Sequence, residues 1–219
     1  MSVLAIAHRA GNSLDRLHTA VALGADVIEA DVHSYRGQLE VRHEKTMGPL
    51  PWLWDKWELR SARAPRLGLE ELLLAARHGA TFMLDIKGRR VAAGEEVARH
   101  LHTYAPERPV VVCTRFWPAL RAFERIPWVR TVRSARKRGE LSLLLHHLRR
   151  HGPEYGVSVH RSLLTPSVVA ELHRYVEIVM TWPVNDSDAL AEVLAHGETG
   201  AVGVISDEDD VLRRVLAGR

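Results

Sequence analysis

The sequence predicts an α/β protein, a (β/α)8 TIM barrel folded as a single compact domain. Three observations carry that prediction. Short apolar or β-branched runs alternate with amphipathic helical patterns along all 219 residues. Eight strand–helix units can be counted when the segment 39–43 is taken as an extension of the second strand. No Gly-rich turn follows the first run, which counts against a doubly wound sheet built to bind a dinucleotide.

The elements follow in order. Val3 to Ala7 reads as a strand. From Asn12 or Ser13, either able to cap a helix, Leu14, Leu17, Ala20 and Val21 recur at helical spacing until Gly24 stops them. Val27 to Val32 is the second strand. A turn at Arg36-Gly37 leads into 39–43, where Leu39, Val41 and His43 share one face at period two. Residues 45–66 break the rhythm. They hold Pro49, Pro51, Trp52, Trp54 and Trp57 and read as a short loop insertion, lining a pocket or packing over an exposed end.

The alternation then resumes. Helices are expected at 69–78 with Gly79 as terminator, and at 91–104, 118–125, 140–150 and 166–175. Two more are expected at 186–196, stopped by Gly197, and after Asp207, which can cap the last one. Strands are expected at 81–86, 110–113, 128–132, 155–159, 176–180 and 202–205.

Composition bounds the function. Hydrophobic residues make up 46% and charged residues 26%, as in ordinary globular proteins, and the formal net charge is +3. Such a mild surplus favours acidic or phosphorylated ligands, and no block of like charge resembles a nucleic-acid arm. The densest run, Arg133 to Arg138, reads as a solvated loop and helix start. The single cysteine, Cys113, lies in an apolar run and reads as a buried core thiol, consistent with a reducing compartment. No run approaches the ~20 apolar residues of a membrane span, and the first residues lack a signal-peptide pattern. A cytoplasmic protein without stable membrane insertion is therefore expected.

In such a barrel, chemistry sits at the C-terminal ends of the strands. Those ends deliver His8 and Arg9, Glu29 and Asp31, His43, then Asp85 and Lys87. Glu29 and Asp31 are two apart on a strand and point to one side, as do Asp85 and Lys87. Three carboxylates without thiolates suit one hard divalent cation, Mg²⁺ or Ca²⁺. Two histidines beside them can act as general acid and base near neutral pH. Arg9 and Lys87 would neutralise an anionic group such as phosphate.

The motifs His8-Arg9-Ala10, Asn12-Ser13, Gly24-Ala25-Asp26-Val27-Ile28-Glu29-Ala30-Asp31-Val32, His43-Glu44 and Asp85-Ile86-Lys87 stand in this order. Pro65 to Glu70, Trp182-Pro183-Val184-Asn185 and Ser206-Asp207 complete the series. Taken together the chain resembles the glycerophosphodiester phosphodiesterase family, over essentially its full length and most specifically at Gly24–Val32. The resemblance implies a TIM barrel and a metal held by Glu29, Asp31 and Asp85. It implies His8 and His43 as the acid and base, with Arg9 and Lys87 on the phosphate of a small-molecule phosphodiester. Asp85 and Gly11 replace glutamates of the family pattern, and the loop after Arg9 is cut short. Two other readings stay open: a phosphodiesterase acting on lysophospholipids or another diester, and a non-catalytic barrel that binds phosphorylated ligands.

Overall fold

The structure, a computed structural model, describes residues 3–47, 50–55, 58–75, 81–196 and 200–218. The chain begins with β1 (Val3–Ala7), α1 (Leu14–Leu23) and β2 (Val27–Tyr35). Four short strands follow: β3 (Gln38–Val41), β4 (Lys45–Thr46), β5 (Trp52–Asp55) and β6 (Glu58–Ser61). Next come α2 (Leu69–Ala75), β7 (Thr81–Ile86), α3 (Val91–Tyr104) and β8 (Val110–Thr114). A 3₁₀ helix (Trp117–Phe123) leads to β9 (Val129–Ala135), α4 (Arg138–His151) and β10 (Glu154–His160). The last elements are α5 (Pro166–His173), β11 (Val176–Trp182), α6 (Ser187–His196), β12 (Ala201–Ser206) and α7 (Asp209–Ala217).

Eight of the strands are parallel and close on themselves. The order runs β1-β12-β11-β10-β9-β8-β7-β2, and β1 pairs back onto β2 at Ile6–Val27 and Ala7–Ile28. This is a TIM barrel with helices between successive strands. Strand β3 folds back antiparallel on the end of β2, so the segment expected at 39–43 belongs to the second unit as a hairpin strand over 38–41 and adds no further strand to the barrel. The two-residue turn between them has Arg36 at φ 51° and Gly37 at φ 79°. Positive φ at both positions gives the twist that a tight hairpin needs.

Alternation along the strands sorts the core into an inside and an outside. Ile6, Val27, Met83, Val111, Val132, Ile178, Met180 and Ile205 form one buried cluster, which fills the barrel. Their neighbours in sequence, such as Ile28, Leu84 and Val112, face outward into the layer beneath the helices. One step toward the strand C-termini, the inward positions turn polar at Glu29, Asp31, Asp85, Ser134 and Ser158. The apolar plug therefore becomes the floor of a polar mouth.

Several boundaries differ from expectation. Residues 45–66 are not a loop: β4, β5 and β6 form a three-stranded antiparallel sheet. Trp52, Leu53 and Trp54 read exposed, buried, exposed, the period of a half-buried strand. On β3, Glu40 is buried as well as Leu39 and Val41, and so is Arg42 just past its end. Arg42 Nε donates to Glu40 Oε2 at 2.7 Å and Arg66 Nη1 to Glu40 Oε1 at 2.9 Å, an ion network that roots the small sheet. The segment 118–125 is a 3₁₀ helix, whose i, i+3 rise puts Leu120 and Phe123 on one buried face. Ser13 caps α1 by accepting from Arg16 N–H, Gly24 ends it at φ 82°, and Thr165 caps α5. Asp207 does not cap α7, whose flanking residue Glu208 makes no side-chain cap bond. Trp57, Pro49, Gly79 and Gly197 lie outside the described residues. Among the described residues no helix is long and apolar enough to cross a membrane.

Candidate active site

The C-terminal mouth of the barrel opens into a cleft of about 690 Å³. His8, Arg9, Glu29, His43, Asp85 and Lys87 all line it. Asp31 lies just behind, 1% exposed. The strand-end residues picked out in the sequence thus gather at one site.

The three carboxylates are its centre. Glu29, Asp31 and Asp85 each present an oxygen within 4.8 Å of the other two. Parallel pairing of β2 with β7 places Asp31 beside Asp85. Burial, and then the charge of Asp31, pushes the Glu29 carboxyl up to about 7. Burial likewise raises Asp85, over the opposing pull of Lys87. Asp31 goes the other way: burial works against its charge, but the Lys87 ammonium and its hydrogen bond hold it low. Lys87 Nζ sits 2.5 Å from Asp31 Oδ1 and also bonds Asp85 Oδ2. Burial opposes the charge on Lys87 as well, and the three carboxylates outweigh it and raise its pKa.

Second contacts hold this centre rigid. Asn12 Nδ2 donates to Asp31 Oδ2 at 2.8 Å, and Asp31 N–H donates to Asn12 Oδ1 at 2.8 Å. Arg9 N–H donates to Glu29 Oε2 at 2.6 Å from a left-handed turn at φ 55°. The Arg9 guanidinium reaches to 3.8 Å from Asp31. Gly11 explains the short loop: a Cβ there would lie 2.7 Å from Ala30 Cβ, so no side chain fits.

Each histidine has a carboxylate behind its Nδ1. His8 Nδ1 lies 3.0 Å from Asp207 Oδ1, and His43 Nδ1 lies 2.9 Å from Asp55 Oδ2. Asp207 is itself held by Asn185, whose Nδ2 donates to it at 3.1 Å. Burial works against the His8 cation, yet Asp207 and Glu29 together raise its pKa. Burial also disfavours the Asp207 anion, but the His8 bond wins and lowers the carboxyl to about 2. With Nδ1 facing its carboxylate, each ring has Nε2 as its other nitrogen, and that of His8 lies 4.0 Å from Glu29 Oε2.

Sequence reasoning missed Asn12, Asp55, Asn185 and Asp207 as members of the site. Asn12 and Asp207 carried ordinary helix-cap signals, and Asp55 stood in a segment read as loop. Of the run 133–138, expected as a solvated loop and helix start, Arg136 to Arg138 are exposed and α4 begins at Arg138, while residues 133–135 belong to β9; Arg136 joins Arg89 and Arg115 in the cleft wall and lies over the Trp182 ring at 5.9 Å. Arg133 is paired with Glu154 at 2.5 Å. Cys113 is buried as expected, and burial followed by the charge of Asp85 pushes its thiol well up.

The donor set fits a divalent metal. Three converging carboxylates supply oxygen ligands only, as hard cations prefer. Their mutual repulsion and burial, felt in the raised Glu29, are relieved by added positive charge.

This architecture has counterparts among solved structures. A protein assigned as a glycerophosphoryl diester phosphodiesterase from Silicibacter pomeroyi superimposes with a TM-score of 0.76 at 18% identity, covering 99% of this chain and 94% of that one. A glycerophosphodiester phosphodiesterase from Parabacteroides distasonis gives 0.72 at 19% identity, covering 100% and 98%. An Oleispira antarctica phosphodiesterase, solved in complex with the product sn-glycerol-3-phosphate, gives 0.71 at 17%, covering 99% and 97%. The chain shares the TIM-barrel fold of these phosphodiesterases. No protein-family model and no curated protein matches its sequence. The fold is thus shared over the full length at identities of 16–19% for most of these structures and 13% for one from Agrobacterium tumefaciens.

Proposed function

We propose that the protein hydrolyses glycerophosphodiesters to sn-glycerol 3-phosphate and an alcohol, using one divalent cation, Mg²⁺ or Ca²⁺, and two histidines. The observation that carries this reading is the pair of carboxylate-backed histidines lining one cleft with the Glu29, Asp31, Asp85 triad. The fold is that of phosphodiesterases, one of them solved with sn-glycerol-3-phosphate, which supports the same substrate class. A lone buried Cys113 also supports a reducing, cytoplasmic setting.

In this reading Glu29, Asp31 and Asp85 hold the cation, which supplies Lewis-acid polarisation of a phosphoryl oxygen. Arg9 and Lys87 add positive charge for the phosphate. A substrate hydroxyl next to the diester attacks phosphorus, forming one P–O bond as the bond to the leaving alcohol breaks. His43 Nε2 takes the proton of the attacking hydroxyl. His8, whose pKa Asp207 and Glu29 raise, gives its Nε2 proton to the leaving oxygen. The cyclic phosphate then opens by the reverse traffic: neutral His8 deprotonates water and His43 returns its proton to the glycerol oxygen.

Single replacements test the assignment. His8→Ala and His43→Ala should each lower kcat on glycerophosphocholine by about 10²–10⁴-fold while the thermal midpoint is held. Full turnover in either variant contradicts these roles.

A further inference from the structure

The small sheet beside the mouth carries an apolar face that the phosphodiesterase chemistry does not use. Nine large hydrophobic residues are exposed among the described residues, and five of them fall between positions 47 and 59: Met47, Leu50, Trp52, Trp54 and Leu59. Trp52 is 46% exposed, Trp54 42% and Leu59 60%. Register puts them together. Trp54 pairs with Leu59 and with Lys45 across its two neighbours, and directly paired residues share a face. Leu53, between the tryptophans, points the other way and is 1% exposed. Lys45 Nζ lies 5.6 Å from the Trp54 ring centroid.

From this we infer that the outer face of the β4–β6 sheet docks on an anionic phospholipid surface, and that the enzyme draws a lipid phosphodiester from it. Charge complementarity favours a lipid occupant. Register places Lys45 on the same face as Trp54, and Arg63 just past β6 is exposed, whereas Arg60 pairs with Leu53 on the other face and Arg66 is held by Glu40. Tryptophan flanked by lysine is the residue pair that seats best where apolar chains meet charged headgroups. Five side chains are also far fewer than the ~20–30 residues a side of a stable protein interface. Proximity completes the case, since Lys45 and Thr46 of the same sheet form part of the cleft wall. The inference rests on the proposed phosphodiesterase reading for its substrate and on the apolar face for its docking.

Vesicle flotation separates the two. The wild-type protein should float with vesicles of phosphatidylcholine containing phosphatidylglycerol, and Trp52→Ser/Trp54→Ser should not. Both positions are exposed, so the variant should melt with the wild type, and Leu59→Glu serves as a second, independent disruption. Hydrolysis of a lysophospholipid held in those vesicles should fall by roughly tenfold or more in the double variant. Turnover of water-soluble glycerophosphocholine should be unchanged. Wild-type protein that stays with the buffer, or variants that float equally well, would overturn the docking surface. So would a wild-type dimer, seen by sedimentation, that dissolves in the double variant while vesicles bind neither. Flotation with no turnover of either substrate would instead strike at the phosphodiesterase reading and leave the docking face standing.

Discussion

Asp55 lies twelve positions from His43 in sequence, yet its carboxylate sits 2.9 Å from His43 Nδ1. That bond fixes which ring nitrogen faces the cleft, a role the sequence could not display because it depends on how the small sheet folds back. Asp55→Asn keeps the shape and removes the charge. We expect kcat on glycerophosphocholine to fall by about tenfold or more, with KM and thermal midpoint nearly unchanged. Equal loss in KM would mean that Asp55 acts on binding instead. His33 makes a separate point about pH. Desolvation, then the cations Arg42 and Lys87, depress it to about 3, and its Nε2 has no hydrogen-bond partner among the described residues. The folded pKa lies below the unfolded value near 6.5, so the unfolded chain takes up the proton first. Stability is therefore complete above pH 6.5 and is lost as pH falls toward 3. Urea titrations at pH 7 and pH 4 should show the wild type losing about 2 kcal/mol more than His33→Asn, after discounting for screening at a partly buried ring.

At the scale of elements, helix α3 depends on a residue that helix propensity would exchange. Gly94 faces the 3₁₀ helix, and a Cβ there would lie 2.2 Å from Ala119 O. Alanine would gain about 1 kcal/mol in propensity but must push two backbones apart. Gly94→Ala should cost about 2 kcal/mol in urea denaturation. Gly139→Ala in α4, where nothing lies within 4 Å, should be neutral or slightly stabilising. Strands were more legible than their surroundings. Val3–Ala7 and Thr81–Ile86 match expectation to the residue because both end at polar groups that mark the mouth. Residues 45–66 misled because prolines and tryptophans read as loop, although the Trp-Leu-Trp alternation carried the strand signal. The helix expected at 118–125 is present as a 3₁₀ helix at Trp117–Phe123, and seven residues give too few turns for the α and 3₁₀ periods to separate in sequence.

For the molecule as a whole, the barrel was legible because closure needs only the count and order of its strands, and both are written in the alternation. Six of the seven strand-end residues were legible for the same reason, since a parallel barrel sends the ends of β1, β2 and β7 to one mouth; His43 reaches it from beyond the antiparallel β3. What supports them was not. Asn12, Asn185 and Asp207 reach the site only through three-dimensional neighbours, and at the level of sequence each looks like a turn or cap residue. The central claim is that this assembly is a divalent-dependent phosphodiesterase. Its most direct measurement is ³¹P NMR of glycerophosphocholine incubated with purified protein and Mg²⁺ or Ca²⁺, with and without chelator. The diester resonance should give way to that of sn-glycerol 3-phosphate with metal present and persist in chelator. A diester signal that stays constant with either metal, or vanishes equally fast in chelator, would contradict it.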